Sequence, residues 1–222
     1  MGSSGGFPVD LVIFGMIAAF LVLRLRSILG KRTGFERPAA PVQPAPQRKP
    51  AGPVIEGRAE PVPPAATHMP DPATPAAQAL SAMQAIDRNF DPARFLAGAE
   101  GAFRIIVKAF AEGNRTALRP LLGDETYAAF EHAISGREKT GETQFSEIKS
   151  IQSIDIQDAV LRGRVGSMTV KIVSDQISYT ADKDGRHLTG TDGLTEIIDL
   201  WTFERDLGQP DPTWRLVAVR SG

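Results

Sequence analysis

The sequence predicts an α+β fold, helices first and antiparallel strands after them, carried behind a membrane-spanning segment and a proline-rich linker. Three observations point to it. Residues 9–23 are apolar apart from Asp10 and run directly into Arg24 and Arg26. Between residues 76 and 136 the large apolar side chains recur at three- and four-residue steps, the helical period. From Phe145 onward the period shortens to two, the mark of strands with one buried face. Helical stripes followed by alternating strands bury each other as helices laid on one face of a curved antiparallel sheet.

The apolar run comes first in the chain. At ~1.5 Å per residue, residues 7–29 span ~34 Å, enough for a ~30 Å hydrocarbon layer when the arginines reach to its surface. A cleaved secretory signal places its positive charge before the apolar run. Here no Lys or Arg precedes Leu23, whereas Arg24, Arg26, Lys31, Arg32 and Arg37 follow it. The positive-inside rule then expects a retained single-pass anchor, N-terminus outside and the bulk of the chain cytoplasmic. Arg24, Arg26, Lys31 and Arg32 are the candidate membrane contacts, each worth about 1 kcal/mol against an anionic lipid surface. The same charges also account for topology alone.

Composition limits the function classes. The chain has 222 residues, 42% hydrophobic and 23% charged, with a formal net charge of -1. Beyond Arg37 it carries 20 basic against 24 acidic side chains, which argues against a nucleic-acid-binding face. The absence of cysteine excludes disulfides, thiolate metal sites and a cysteine nucleophile, and suits a reducing compartment.

Residues 30–75 read as a basic juxtamembrane segment followed by a Pro/Ala-rich linker. Its prolines, from Pro38 and Pro41 through Pro61, Pro63 and Pro64 to Pro75, leave too few large apolar groups for a core. Polyproline II geometry gives such a linker a reach on the order of 100 Å. The spacing of Pro41 and Pro44 is a candidate PxxP recognition site, one that also arises by chance in an Ala/Pro linker.

The folded domain is expected over residues 76–222. Leu80, Met83 and Ile86 mark a short amphipathic helix over 76–88. Asp91 followed by Pro92 caps a long helix that Gly113 stops, with Phe95, Ala99, Phe103, Ile106 and Phe110 on its apolar stripe. Glu100, Arg104, Lys108 and Glu112 line its opposite face. Gly98 and Gly101 inside that helix each cost ~1 kcal/mol relative to alanine, so another element or a ligand is expected to approach there. Asn114 opens a helical turn interrupted at Pro120, and Asp124 caps a further helix to about Gly136, with Tyr127, Phe130 and Ile134 inward. Ile154 and Ile156, then Met168, Val170 and Ile172, alternate with polar neighbours. Asp184-Gly185 signals a hairpin, and residues 197–203 and 214–219 complete the strands.

Several of these stretches, in this order, resemble one family. They are Phe95-Leu96-Ala97-Gly98-Ala99, Ile106-Val107-Lys108-Ala109-Phe110-Ala111-Glu112-Gly113, Leu118-Arg119-Pro120-Leu121-Leu122 and Asp199-Leu200-Trp201-Thr202-Phe203-Glu204-Arg205-Asp206. The chain is similar there to bacterial Tim44-like proteins, and residues 23–34 resemble the alphaproteobacterial members. The family is named for the mitochondrial inner-membrane subunit that tethers the import motor chaperone to the translocase. The resemblance implies a cone like that of nuclear transport factor two, also called cystatin-like, with helices closing a sheet around an apolar pocket. It also implies a membrane-associated domain that contacts anionic lipid and translocase, chaperone or client-protein partners. Where the mitochondrial subunit carries chaperone- and channel-contacting segments, this sequence has an apolar run and a proline-rich linker.

No residue is assigned to catalysis, to a metal or to a cofactor. His68 falls in the linker, His187 follows a turn and His132 faces outward, so none has a catalytic partner. Asp199 shares a strand face with Ile197, Trp201 and Phe203; it reads as a structural acid held by Arg205 or a neighbouring arginine, or as a general base. The pocket or core candidates are Phe95, Phe103, Phe110, Tyr127, Phe130, Asp199, Trp201 and Phe203. The expected function is a non-enzymatic adaptor in protein transport or membrane-protein biogenesis. The alternative is a pocket for a lipid or small hydrophobic ligand, and a third reading is an isomerase- or dehydratase-like enzyme.

Overall fold

The computed structural model describes residues 65–222. The apolar run, Arg24, Arg26, Lys31, Arg32 and the PxxP spacing lie outside the described residues. Among the described residues, no helix is long and apolar enough to cross a membrane.

The chain forms β1 (Ala66–His68), α1 (Pro75–Ile86), α2 (Pro92–Glu112), α3 (Arg115–Leu118) and α4 (Asp124–Thr140), then β2 (Thr143–Arg162), β3 (Val165–Ala181), β4 (His187–Asp206) and β5 (Arg215–Ser221). The strands make one sheet in the order β1-β2-β3-β4-β5. Pairs β2/β3, β3/β4 and β4/β5 are antiparallel, as expected for strands joined by short turns. The sheet is nonetheless mixed, because β1 joins its edge parallel to β2, with Ala66 opposite Ser153 and His68 opposite Asp155. That strand lies in the stretch read as linker. Its three residues are too few to show alternation, and they are held by pairing with a strand far along the chain. His68 is accordingly tied down, its Nδ1 hydrogen-bonded to Asp155 although its ring stays exposed.

Helix ends follow their local chemistry. Asp91 accepts hydrogen bonds from the N–H groups of Ala93 and Arg94, and α2 stops at Gly113, which adopts φ 67°. Helix α4 departs from expectation at both ends: Gly123 is the N-cap, with Asp124 in the first turn, and the helix continues past Gly136 to a cap at Gly141. Asp124 and Glu125 at its start and Arg137 and Lys139 near its end suit the helix dipole.

The helices cover the face of the sheet that carries Met168, Val170 and Ile172, all fully buried. Register brings Phe203, Trp201 and Asp199 of β4 opposite those three residues, and Ala159, Ile156 and Ile154 of β2 on their other side. Helix α2 lies over this surface with its predicted stripe inward, Phe103 meeting Trp201 edge-on at 4.8 Å between centroids. Register shifts at three points of β2/β3 and two of β3/β4 are bulges of the kind that bend strands. Leu80 and Met83 of α1 join the core, but Ile86 is 40% exposed because the helix ends there. The link before α4 is clipped to β5 by Gly123 N–H to Leu216 O and Leu216 N–H to Leu121 O, both 2.8 Å.

Candidate functional site

The first turn of α2 starts the site. Phe90 precedes the Asp91 cap and Phe95 lies one turn into the helix, the spacing of a hydrophobic staple. Both rings reach the same indole across the molecule, Phe90 at 5.6 Å and Phe95 at 5.0 Å from Trp214. Phe95 also meets Phe203 of β4 at 5.9 Å. These four rings, with Ala99, Ala102 and Leu121, line a groove of about 500 Å³ between α2 and the turn joining β4 to β5.

A largely buried ion pair holds the two walls together. Asp87 Oδ2 meets Arg205 at 3.0 Å, the side chains 15% and 10% exposed. Asp87 Oδ1 accepts the N–H of Asn89 at 2.9 Å and so shapes the turn leading to Phe90. On its other side Arg205 Nε donates to the carbonyl of Asp211 at 3.0 Å, which fixes the approach to Trp214. One guanidinium therefore ties the α1–α2 turn to the β4–β5 turn. The expectation that Arg205 holds Asp199 is not met, since its bonds run to Asp87 and Asp211.

Gly98 opens this groove. A Cβ built there would meet nothing within 4 Å, and the same holds at Gly101. No other described element approaches either glycine, contrary to one half of the expectation. Gly98 does line the groove, so its missing side chain leaves space beside the aromatic floor. Arg94 and Asp91 stand at the rim, 3.9 Å apart.

The structure divides the candidate residues among several places. Phe95 and Phe203 line the groove. Phe103 and Trp201 are fully buried beneath it, and Asp199 is fully buried farther along the inner face of β4, opposite Ile172 and Ser221. Phe110 and Phe130 form a separate pair at the far end of α2, 4.8 Å apart. Arg137 lies over Phe110 at 4.5 Å and donates to its carbonyl at 2.6 Å; burial pulls its pKa below the usual arginine value. Tyr127 is half-buried, with the Arg119 guanidinium over its ring at 4.9 Å. His132 and His187 are exposed, His187 stacked on Tyr179. Among the described residues no three His, Cys, Asp or Glu side chains gather as a metal site would require.

Phe90 and Trp214 are the aromatic residues of the groove that the sequence reading did not single out. The staple spacing around Asp91 is a signal that finds Phe90. Trp214 has no such signal, because its position depends on Arg205 and the turn it holds.

The model of the family described as "Tim44-like domain" matches residues 76–221. No curated protein matches the chain significantly. Among solved structures, the intermembrane-space region of the chloroplast protein ARC6 is similar at 8% identity and a TM-score of 0.40, covering 57% of this chain and 97% of that one. A crystal structure titled as a putative dehydratase of the NTF2-like family from Streptomyces avermitilis is similar at 12% identity and a TM-score of 0.35, covering 59% and 96%. TsrD from Streptomyces laurentii is similar at 14% identity and a TM-score of 0.25, covering 54% and 84%.

Proposed function

The chain belongs to the Tim44-like domain family, and we propose that it is a membrane-anchored, non-enzymatic docking module for protein transport or membrane-protein biogenesis. The observation that carries this reading is the groove: an aromatic floor left open by Gly98, with walls locked by Arg205. Apolar anchor side chains of a partner protein fill such a site, gaining about 25 cal/mol for each Å² removed from water. Residues 7–29 supply the anchor in this proposal, with the domain on the cytoplasmic side; this part rests on the apolar run and the basic residues after it.

The groove is tested by purifying the full-length chain from mild detergent, with and without Gly98→Leu, and identifying what accompanies it. One protein recovered with the natural chain and lost with Gly98→Leu supports docking. A stoichiometric lipid, with no protein, replaces it by the lipid-pocket reading, which the apolar lining also suits. The anchor is tested by fractionation and by protease added from the periplasmic side: intact chain in the soluble fraction, or digestion of residues 65–222, ends the topological proposal.

A further inference from the structure

At the end of the sheet away from the groove, three rings are stacked in a row on its outer face. Phe145 of β2 lies 5.2 Å from Tyr179 of β3, and Tyr179 lies 4.3 Å from His187 of β4, each pair within 20° of parallel. The row depends on Gly190, which pairs with Tyr179 at φ 82° and whose Cβ would run into the backbone of Ser178. A side chain there would hold β4 away from β3. Phe145, at the end of the row, is 41% exposed.

Phe145 also lies on the sheet's border. Strand β1 pairs only with residues 153–155 of β2, so among the described residues no strand pairs with the outer edge of β2 from Thr143 to Gln152. Residues 143–148 pair with β3 without a shift, and the first bulge comes at Lys149, a charge at an irregularity of the kind that blunts an edge. Among the described residues, no strand pairs with this edge over the six regular residues 143–148.

We propose that this edge pairs with the same edge of a second copy of the chain, antiparallel about a two-fold axis at Phe145. In that register Phe145 faces Phe145 of the second copy, and two three-ring rows join into one. Glu147 faces Thr143 of the second copy, so no like charges oppose, and Lys149 falls beyond the pairing. A two-fold contact of this kind is self-complementary and closes at two copies. Directly opposed residues in antiparallel strands have Cα atoms about 4.5–5.5 Å apart, inside the roughly 4.4–6.8 Å that a disulfide spans.

The chain contains no cysteine, which gives a clean test in the full-length protein in detergent. Under mild oxidation Phe145→Cys is expected to form a covalent dimer, and Leu194→Cys, at a residue 62% exposed and outside the pairing, is expected to stay monomeric. Without cross-linking, light scattering with the micelle mass subtracted should show the natural chain approaching twice its monomer mass as concentration rises. Phe145→Lys should remain a monomer at every concentration, with an unfolding midpoint close to that of the natural chain at dilutions where the natural chain is itself monomeric. A natural chain monomeric throughout, or no more dimer from Phe145→Cys than from Leu194→Cys, overturns the proposal. So does cross-linking of Phe145→Cys to a different protein, which would assign the edge to a foreign strand. Gly98→Leu leaves this association untouched, so it stands or falls apart from the groove.

Discussion

The two ends of the sheet are built on one alternation and opposite chemistry. Along β3 every second residue is buried without a break from Gly166 to Thr180. Toward the groove the buried positions are Met168, Val170 and Ile172; toward the hairpin they are Ser174, Gln176, Ser178 and Thr180. At the groove end the aromatic residues Trp201 and Phe203 point inward beneath α2. At the hairpin end Phe145, Tyr179 and His187 are on the outer face, and on the inner face Ser146 bonds to Ser178 at 2.9 Å and Gln176 Nε2 to Ser174 at 2.8 Å, while the Thr180 hydroxyl is buried without a partner among the described residues. Alternation thus tells which side of a strand is covered. What covers it decides whether an apolar group or a hydrogen-bonded hydroxyl is stable there.

If that contrast is right, substitutions at the two ends differ in cost. Phe103→Ala, which removes a fully buried ring against Trp201, should destabilise the fold by about 3–5 kcal/mol in denaturant unfolding. Asp87→Ala leaves the largely buried Arg205 guanidinium without its carboxylate, a loss of about 1–3 kcal/mol, with tryptophan fluorescence reporting a loosened groove wall. At the hairpin end Ser178→Ala should cost about 1 kcal/mol or less, since one hydroxyl pair is lost and no cavity of consequence is made. A cost equal to that of Phe103→Ala would break the contrast. Gly98→Leu should raise stability by up to about 1 kcal/mol while blocking the groove, which separates occupancy from folding.

Acid should loosen both ends together, and by the smallest margin. Asp182, in the β3–β4 turn, is held below the usual aspartate range chiefly by the N–H of Arg186, and Asp206, beside the groove, by the N–H of Gly208. Asp211 is lowered first by hydrogen bonding to the Thr213 side chain, and Glu138 by the Arg115 guanidinium. A lowered folded-state pKa means the folded chain favours the charged form. The contribution is complete above the ordinary carboxylate pKa and fades as pH falls through the lowered values, below roughly pH 4. Thermal midpoints measured from pH 7 to pH 2 should stay level and then fall, less steeply in salt at these exposed sites.

Much of the fold was legible because its signals act within a few residues. Asp91-Pro92 and Gly113 bound α2, its five-residue stripe is buried throughout, and Asp184-Gly185 marks the turn between β3 and β4. The site was legible only in part: Phe95, Phe203 and the open Gly98 were singled out, whereas Phe90, Trp214 and the Asp87–Arg205 pair were not.

The sequence by itself determined where α2 starts and stops and which face of β2, β3 and β4 is covered, because caps, turns and periodicity are carried by neighbours along the chain. Only the tertiary structure decided that β1 runs parallel, that Arg205 turns to Asp87, that Trp214 closes a groove and that three rings stack across three strands. Each of those depends on residues distant in sequence being brought together, and no local pattern encodes the partner.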